Sequence, residues 1–138
     1  MIVIAIILTA VFLSYFVLII CIVATWKKQN SILFLQNSNI NFSILIPVRN
    51  EEENISTCIQ SILECNYPLQ QREIIVINDN SDDNTLIELY KFGERIKVVN
   101  SKALGKKAAI SEGIKISTFD YIVTTDADCI VPKNWLLN

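Results

Sequence analysis

Hydrophobic positions are distributed very unevenly along this chain. The segment from Met1 to Trp26 contains no charged residue and is dominated by Ile, Val, Leu, Phe and Ala. At about 1.5 Å per helical residue, a helix of that length can cross a hydrocarbon core of roughly 30 Å with some tilt. A cleaved signal peptide is the alternative, but no basic residue precedes the run and no small-x-small site closes it. We therefore predict an uncleaved transmembrane helix over residues 1–26.

A different pattern begins after a juxtamembrane linker, which we assign to residues 27–41. Short apolar runs typical of buried strands alternate with segments of helical spacing. The expected strands are Ser43–Pro47, Ile74–Ile77, Ile96–Val99 and Asp120–Thr125, and the expected helices are Ile55–Leu63, Leu86–Phe92 and Gly105–Ser117. Asn54 is expected to cap the first of these helices. Alternating strands and helices with short connections predict an α/β domain over residues 42–138, with a parallel sheet, helices on both faces and right-handed crossovers.

The distribution of charged residues indicates on which side of the membrane the soluble part lies and which class of partner is not expected. Lys27 and Lys28 directly follow the apolar segment. Positive charge on that side predicts a single-pass protein of the cell membrane with a cytoplasmic soluble part. The chain has a net charge of −2 with both signs interspersed, so nucleic acid is not indicated as a partner.

Cysteine and histidine usage removes two further kinds of chemistry. The four cysteines have neither paired zinc-ligand spacing nor the density of a disulfide framework. Cys58 and Cys65, seven residues apart, are interpreted as small core residues. The chain contains no histidine, so carboxylates must do any acid, base or metal work.

Polar side chains follow three of the predicted strands at the point where each strand ends. They form the segments 49–51, 79–83 and 126–128. The carboxyl ends of parallel strands meet at one edge of a sheet, which is the binding crevice of open α/β folds. Such loops also make ordinary turns and helix caps. Asp126 and Asp128, one residue apart, suit a hard divalent cation that bridges them to phosphate oxygens.

Four segments, taken in order, resemble the motifs of family 2 glycosyltransferases. They are Ser43 to Glu51, Val76 to Thr85, Gly105-Lys106 to Gly113, and Thr125 to Asp128. The resemblance spans Phe42 to about Leu137. It implies a GT-A (Rossmann-like) fold and a metal-dependent, hexosyltransferase-like enzyme that uses Mn²⁺ or Mg²⁺. The donor would be a nucleotide-sugar, commonly a UDP-sugar, and the acceptor a hydroxyl of a glycan or lipid.

The resemblance also implies roles for residues on the nucleoside side. Pro47, Arg49 and Glu51 resemble the loop that walls the nucleobase. Asp79 resembles the acid that accepts hydrogen bonds from uracil or ribose, and Asp83 is the later acid of the same motif.

On the diphosphate side, Lys106 is placed like basic residues near the diphosphate. Asp126 and Asp128 resemble the DxD metal-site pair, with Asp128 the direct ligand and Asp126 nearer the ribose. One departure stands out: Asn78 occupies the position of the first acid in the common Asp-Asp pair.

Other nucleotide-binding classes fit the sequence poorly. A dinucleotide-binding Rossmann unit needs a Gly-x-Gly-x-x-Gly turn after the first strand, where this chain has no glycine. A P-loop fails because Asn100 replaces the first glycine and Lys107 the hydroxyl residue. A sugar-phosphate nucleotidyltransferase would need a glycine-rich, arginine-bearing loop after the first strand. Such a loop is also missing from this chain.

The resemblance further implies a second half with an acidic catalytic base and an acceptor site. The sequence ends at Asn138, ten residues past Asp128. We therefore expect the donor-binding half of an enzyme, either a fragment or a degenerate gene product, which is inactive alone and for which no catalytic residue can be named. The alternative is a non-catalytic membrane module that binds nucleotide or a partner protein.

Overall fold

The computed structural model describes residues 2–29, 40–102 and 104–137. The chain divides into two units, residues 1–35 and 36–138. In the first unit, α1 spans Ile2–Gln29. Its segment Ile2–Thr25 has a mean hydropathy of 3.0 and is long and apolar enough to cross a membrane. The helix continues into the segment predicted as linker, and residues 30–39 of that linker lie outside the described residues.

The second unit contains the four strands and three helices that the sequence pattern predicts. They are β1 (Phe42–Val48), α2 (Ile55–Leu63), β2 (Arg72–Asn78), α3 (Thr85–Tyr90), β3 (Lys97–Asn100), α4 (Lys106–Ile116) and β4 (Tyr121–Thr124). The bounds of α2 are those predicted, and the ends of the other elements differ from the prediction by one or two residues. Asn54 does precede α2, but its side chain makes no capping bond to the helix. Asn54 is thus the N-cap residue, as predicted, but its Nδ2 donates to Oε2 of Glu51 at 2.8 Å.

The strand order β3-β2-β1-β4 determines where a ligand can bind. All three strand pairs are parallel, as predicted. The chain moves from β1 outward to β3, and α4 then carries it back so that β4 pairs with the other side of β1. The direction of travel therefore reverses between β1 and β4. In open α/β sheets the crevice lies outside the carboxyl ends of the strands at this switch point.

Hydrophobic side chains bury both faces of the sheet, which confirms the predicted arrangement. On one face, Ile44 and Ile46 of β1 pack in a cluster with residues of α2 and α3, among them Ile59 of α2. The other face packs against α4 and includes Leu45 and Ile77. Adjacent β1 side chains are thus fully buried on opposite faces, which is why the strand reads as a continuous apolar run. Cys58 and Cys65 belong to the first cluster, as predicted.

A network of hydrogen bonds at the amino-terminal edge of the sheet centres on Glu73 in β2. Its carboxylate accepts bonds from Ser43 Oγ and Lys97 Nζ, both at 2.5 Å, and from the amide and hydroxyl of Thr118. Burial alone would raise the pKa of Glu73, but these bonds outweigh it and lower the pKa to about 2. The network joins three strands to the segment before β4, and the sequence pattern gave no indication of it.

Candidate functional site

A cleft of about 250 Å³ lies at the carboxyl edge of the sheet. It is lined by Pro47, Val48, Arg49, Glu51, Asp79, Lys106, Asp126, Ala127 and Asp128. The ends of β1, β2 and β4 and the first residue of α4 supply these side chains. The structure therefore brings together every candidate site residue from the sequence except Asp83.

Asp79 is the most constrained acid of the cleft. It follows β2, is 5% exposed, and its amide donates to the carbonyl of Val48 at 2.8 Å. Its Oδ2 accepts a hydrogen bond from the Gly105 amide at 2.8 Å, at the start of α4, where the helix dipole favours negative charge. No described residue donates to its buried Oδ1. A buried acceptor left unpaired is costly, so Oδ1 favours a donor supplied by a ligand.

The hydrogen bonds of Asn78 explain why an amide stands here in place of the first acid of the common Asp-Asp pair. The residue is 3% exposed, and its Nδ2 donates to Oδ1 of Asn100 at 2.9 Å, which ties the ends of β2 and β3 together. Its Oδ1 accepts from the Ser81 amide at 3.1 Å. An ionised carboxylate could accept but not donate here. The amide thus organises the loop after β2.

The loops after β1 and β2 are joined by five hydrogen bonds, which we call the loop clasp (residues 49–54 with 79–85). The Asn50 amide donates to Ser81 Oγ at 3.1 Å, and Asn50 Oδ1 accepts from the Asp82 amide at 2.8 Å. The Glu51 amide donates to Thr85 Oγ1 at 2.9 Å. Asn50 has a positive φ of 55°, a conformation that asparagine tolerates better than most residues. Sequence reasoning missed the clasp, although asparagine beside a strand end is a weak signal for such a turn.

Asp83 belongs to the loop clasp and does not line the cleft. Its Oδ2 accepts from the Glu52 amide at 3.1 Å, and its Oδ1 accepts from the amide and hydroxyl of Thr85 at 3.0 and 2.5 Å. Desolvation would raise the pKa of Asp83, but the bonds from Thr85 and Glu52 outweigh it and lower that pKa. The structure thus gives Asp83 protein partners, and a nucleotide role for it could only be indirect.

The turn after β4 presents two carboxylates on either side of a buried alanine. Ala127 is 4% exposed and packs in the core beside α2, and the Cys58 thiol donates to the Asp126 carbonyl at 3.5 Å. Asp126 and Asp128 are consequently both exposed. Burial raises the pKa of Cys58 to about 12, helped by the negative charge of the nearby turn, so this thiol stays neutral.

Lys106 Nζ forms an ion pair with Asp126 Oδ1 across the cleft. The hydrogen bond to Asp126, together with the charges of Asp126 and Asp128, raises the pKa of Lys106 despite partial desolvation. The ion pairs of the described residues give Asp128 no cationic partner.

The donor set fits a hard cation that is completed by a ligand. Within the described ranges, no three acidic, cysteine or histidine side chains converge on one point. Mg²⁺ is commonly held by one or two carboxylates together with water and substrate phosphates, and carboxylate oxygens also suit Mn²⁺. Asp126 and Asp128 provide that number of oxygen ligands at the cleft.

The sequence of this chain is similar to those of known glycan-synthesising enzymes. The poly-beta-1,6-N-acetyl-D-glucosamine synthase of Staphylococcus epidermidis is 37% identical over 92 residues, which cover 64% of this chain and 22% of the synthase. The chain spans less than a third of the length of the curated relatives it matches.

Solved structures show the same fold. A mannosyltransferase of Pyrobaculum calidifontis, PcManGT, in complex with GDP-Man and Mn²⁺, has a TM-score of 0.67 at 26% identity and covers 71% of this chain and 30% of that one. Residues 1–349 of S. aureus TarS give a TM-score of 0.63 at 25% identity, covering 70% and 30%. These neighbours confirm the expected GT-A fold.

The family comparison is the most direct. The family model described as glycosyl transferase family 2 matches residues 43–138, which include all of the sheet except its first residue, Phe42. The chain belongs to glycosyl transferase family 2.

Proposed function

We propose that this chain is the donor-binding part of a membrane-anchored glycosyltransferase. The complete enzyme transfers a sugar from a nucleotide-diphosphate sugar, specifically a UDP-sugar, to a hydroxyl of a glycan or lipid. The observation that carries the proposal is the cleft itself. It combines a buried acceptor oxygen on Asp79 with an acidic pair and a lysine at the switch point of the sheet.

The nucleoside end of the donor is assigned to the Asp79 side of the cleft. The unpaired Oδ1 of Asp79 accepts a hydrogen bond from uracil or ribose, which removes the cost of a buried, unsatisfied acceptor. Pro47, Arg49 and Glu51 form the adjoining wall, and the loop clasp holds that wall against the Asp79 loop.

The diphosphate end is assigned to Lys106, Asp126 and Asp128. Asp128 with Asp126 would hold Mn²⁺ or Mg²⁺. When bound, such an ion stabilises the negative charge that develops on the leaving diphosphate. The structural similarity to PcManGT, which was solved in complex with GDP-Man and Mn²⁺, supports this assignment.

Membrane anchoring is proposed for α1. Its uncharged segment and the following Lys27 and Lys28 favour a single span with the sheet domain in the cytoplasm. Nucleotide-sugars are supplied on that side. The proposed acceptor is a glycan or lipid at the membrane.

Donor binding alone does not complete the reaction. Transfer requires a group that deprotonates the acceptor hydroxyl and a surface that positions it. The acids of the cleft are already assigned to nucleoside and metal. We therefore expect this chain, supplied with labelled UDP-sugars and Mn²⁺ in detergent, to form no glycosylated product. Robust acceptor glycosylation would overturn the assignment of the chain as a donor-binding part.

The binding proposal is tested by calorimetry with UDP on the full chain in detergent, with and without Mn²⁺. We expect binding in Mn²⁺ and a loss of affinity in Asp79→Asn, which places an amide donor where the ligand needs an acceptor. Asp120→Asn is the matched control, because Asp120 is exposed before β4 and does not line the cleft. Absence of UDP binding by the unaltered chain would overturn the proposal and leave the partner-binding module as the better interpretation.

A further inference from the structure

The Lys106–Asp126 pair places a cation where the proposed metal would bind. It is one of three ion pairs among the described residues, and the other two, Lys91–Glu88 and Lys97–Glu73, lie outside the residues that line the cleft. The side chains of Lys106 and Asp126 remain 61% and 53% exposed. A pair this exposed is weak and can open without disturbing the fold.

The backbone of Lys106 is nevertheless fixed. Gly105, with a φ of 101°, donates its amide to Asp79 and begins α4, so Lys106 is held one residue away from the nucleoside acid. Only the flexible side chain can change partner. The Lys106 backbone follows the residue that binds Asp79, and its ammonium group reaches Asp126.

We propose that Lys106 is an internal substitute for the metal ion, which neutralises Asp126 in the free protein and moves to the donor diphosphate when the metal binds. This inference rests on the proposed function. It assigns Lys106 a second role besides contact with phosphate.

The exchange makes metal and nucleotide binding cooperative. A diphosphate competes with Asp126 for the ammonium group, and a metal ion competes with the ammonium group for Asp126. Each ligand therefore removes the obstacle to the other, and the coupling must be reciprocal. Without nucleotide, the ammonium group both occupies Asp126 and repels the incoming cation.

The test begins with Mn²⁺ alone, titrated into the full chain in detergent and followed by the electron paramagnetic resonance signal of free Mn²⁺. We expect Lys106→Gln to bind Mn²⁺ about fivefold more tightly than the unaltered chain, the scale of one exposed ion pair. Lys107→Gln is the matched control. It removes the same charge from the next residue of α4, which is exposed and does not line the cleft. It should change Mn²⁺ affinity far less.

A second arm measures the factor by which UDP raises Mn²⁺ affinity. This factor should fall in Lys106→Gln and be retained in Lys107→Gln. If Lys106 only contacted phosphate, Lys106→Gln would weaken UDP binding but leave the affinity for Mn²⁺ alone unchanged. That outcome, or an equal gain in both lysine variants, would overturn the proposal.

A third arm repeats the Mn²⁺ titration in a protein that carries Asp126→Asn. Lys106→Gln should give no further gain in Mn²⁺ affinity there, because the carboxylate that it frees is already gone. A gain as large as in the unaltered background would also overturn the proposal. Failure of the unaltered chain to bind UDP is read separately, since the experiment with Mn²⁺ alone needs no nucleotide.

Discussion

The Asp79 carboxylate accepts a hydrogen bond from the Gly105 amide at 2.8 Å. This single bond connects the end of β2 to the first turn of α4, the helix that crosses the sheet to reach β4. The two ends of the cleft are therefore connected through the protein backbone. The Asp79 carboxylate and the backbone of Lys106 are thereby held in a fixed relation, and only the Lys106 side chain is free to change partner.

Asp128 is predicted to make UDP binding metal-dependent. We expect Asp128→Ala to lower UDP affinity in Mn²⁺ by at least about tenfold, or about 1.4 kcal/mol, toward the value measured in chelator. The reason is that the diphosphate and the acidic turn repel each other without a cation between them. Calorimetry with and without Mn²⁺ measures this, with Asp120→Ala as the control. Metal-independent binding by the unaltered chain would contradict the assignment.

The loop clasp is predicted to depend on Asn50 in two separable ways. Asn50→Gly keeps the positive φ but removes the acceptor for the Asp82 amide, and we expect it to cost about 1 kcal/mol of unfolding free energy. Asn50→Ala adds backbone strain and should cost more. Urea unfolding in detergent checks both values. UDP affinity should fall in the same order because the clasp holds Arg49 and Glu51 at the cleft.

For that prediction, Asn50→Asp is the conservative control. It retains an acceptor oxygen and tolerates the same backbone conformation, so it should preserve most of the stability and UDP affinity. Equal stability of the glycine and alanine variants would show that backbone strain at this position is unimportant.

Stability is predicted to fall in acid through Glu73. Its pKa is lowered from 4.5 to about 2, so its stabilising contribution is complete above about pH 4.5 and is lost as the pH falls toward 2. We expect a contribution on the order of 2 kcal/mol, a value reduced from the full shift because Lys97 is half exposed. Urea unfolding followed by fluorescence at pH 6 and pH 3 measures it. In Glu73→Gln the difference between the two pH values should shrink, and an unchanged difference would assign the acid sensitivity to another carboxylate.

The membrane orientation is predicted to place the sheet domain in the cytoplasm. Protease added outside intact cells should leave the region after Lys28 undigested, and permeabilised cells should lose it. The physical reason is the retention of Lys27 and Lys28 on the cytoplasmic side. Digestion in intact cells would reverse the assigned orientation.

The sequence patterns predict the positions of the strands and the residues at their ends, but they do not predict side-chain partners that are distant in the chain. Buried parallel strands such as β1 and β2 are apolar on both faces, so their positions are visible in sequence. The strand ends then place Asp79 and Asp128 at the same edge without further information. In contrast, the bond that Asp83 accepts from Glu52 and the bonds that Glu73 accepts from Thr118 join residues 31 and 45 positions apart in the chain. Sheet register and loop geometry select such partners, and a one-dimensional pattern does not contain either. The same limit hid the pairing of Lys106 with Asp126.

Ala127 determines how the two carboxylates of the acidic turn are placed. Its methyl group, buried in the core beside α2, fixes the direction in which the two flanking carboxylates project. The spacing of the charged groups is thus controlled by an uncharged side chain that is itself buried in the core. Replacing acids one at a time would reveal which charges matter but would miss this control. A larger residue at position 127 would shift both carboxylates together while leaving the net charge of the cleft unchanged.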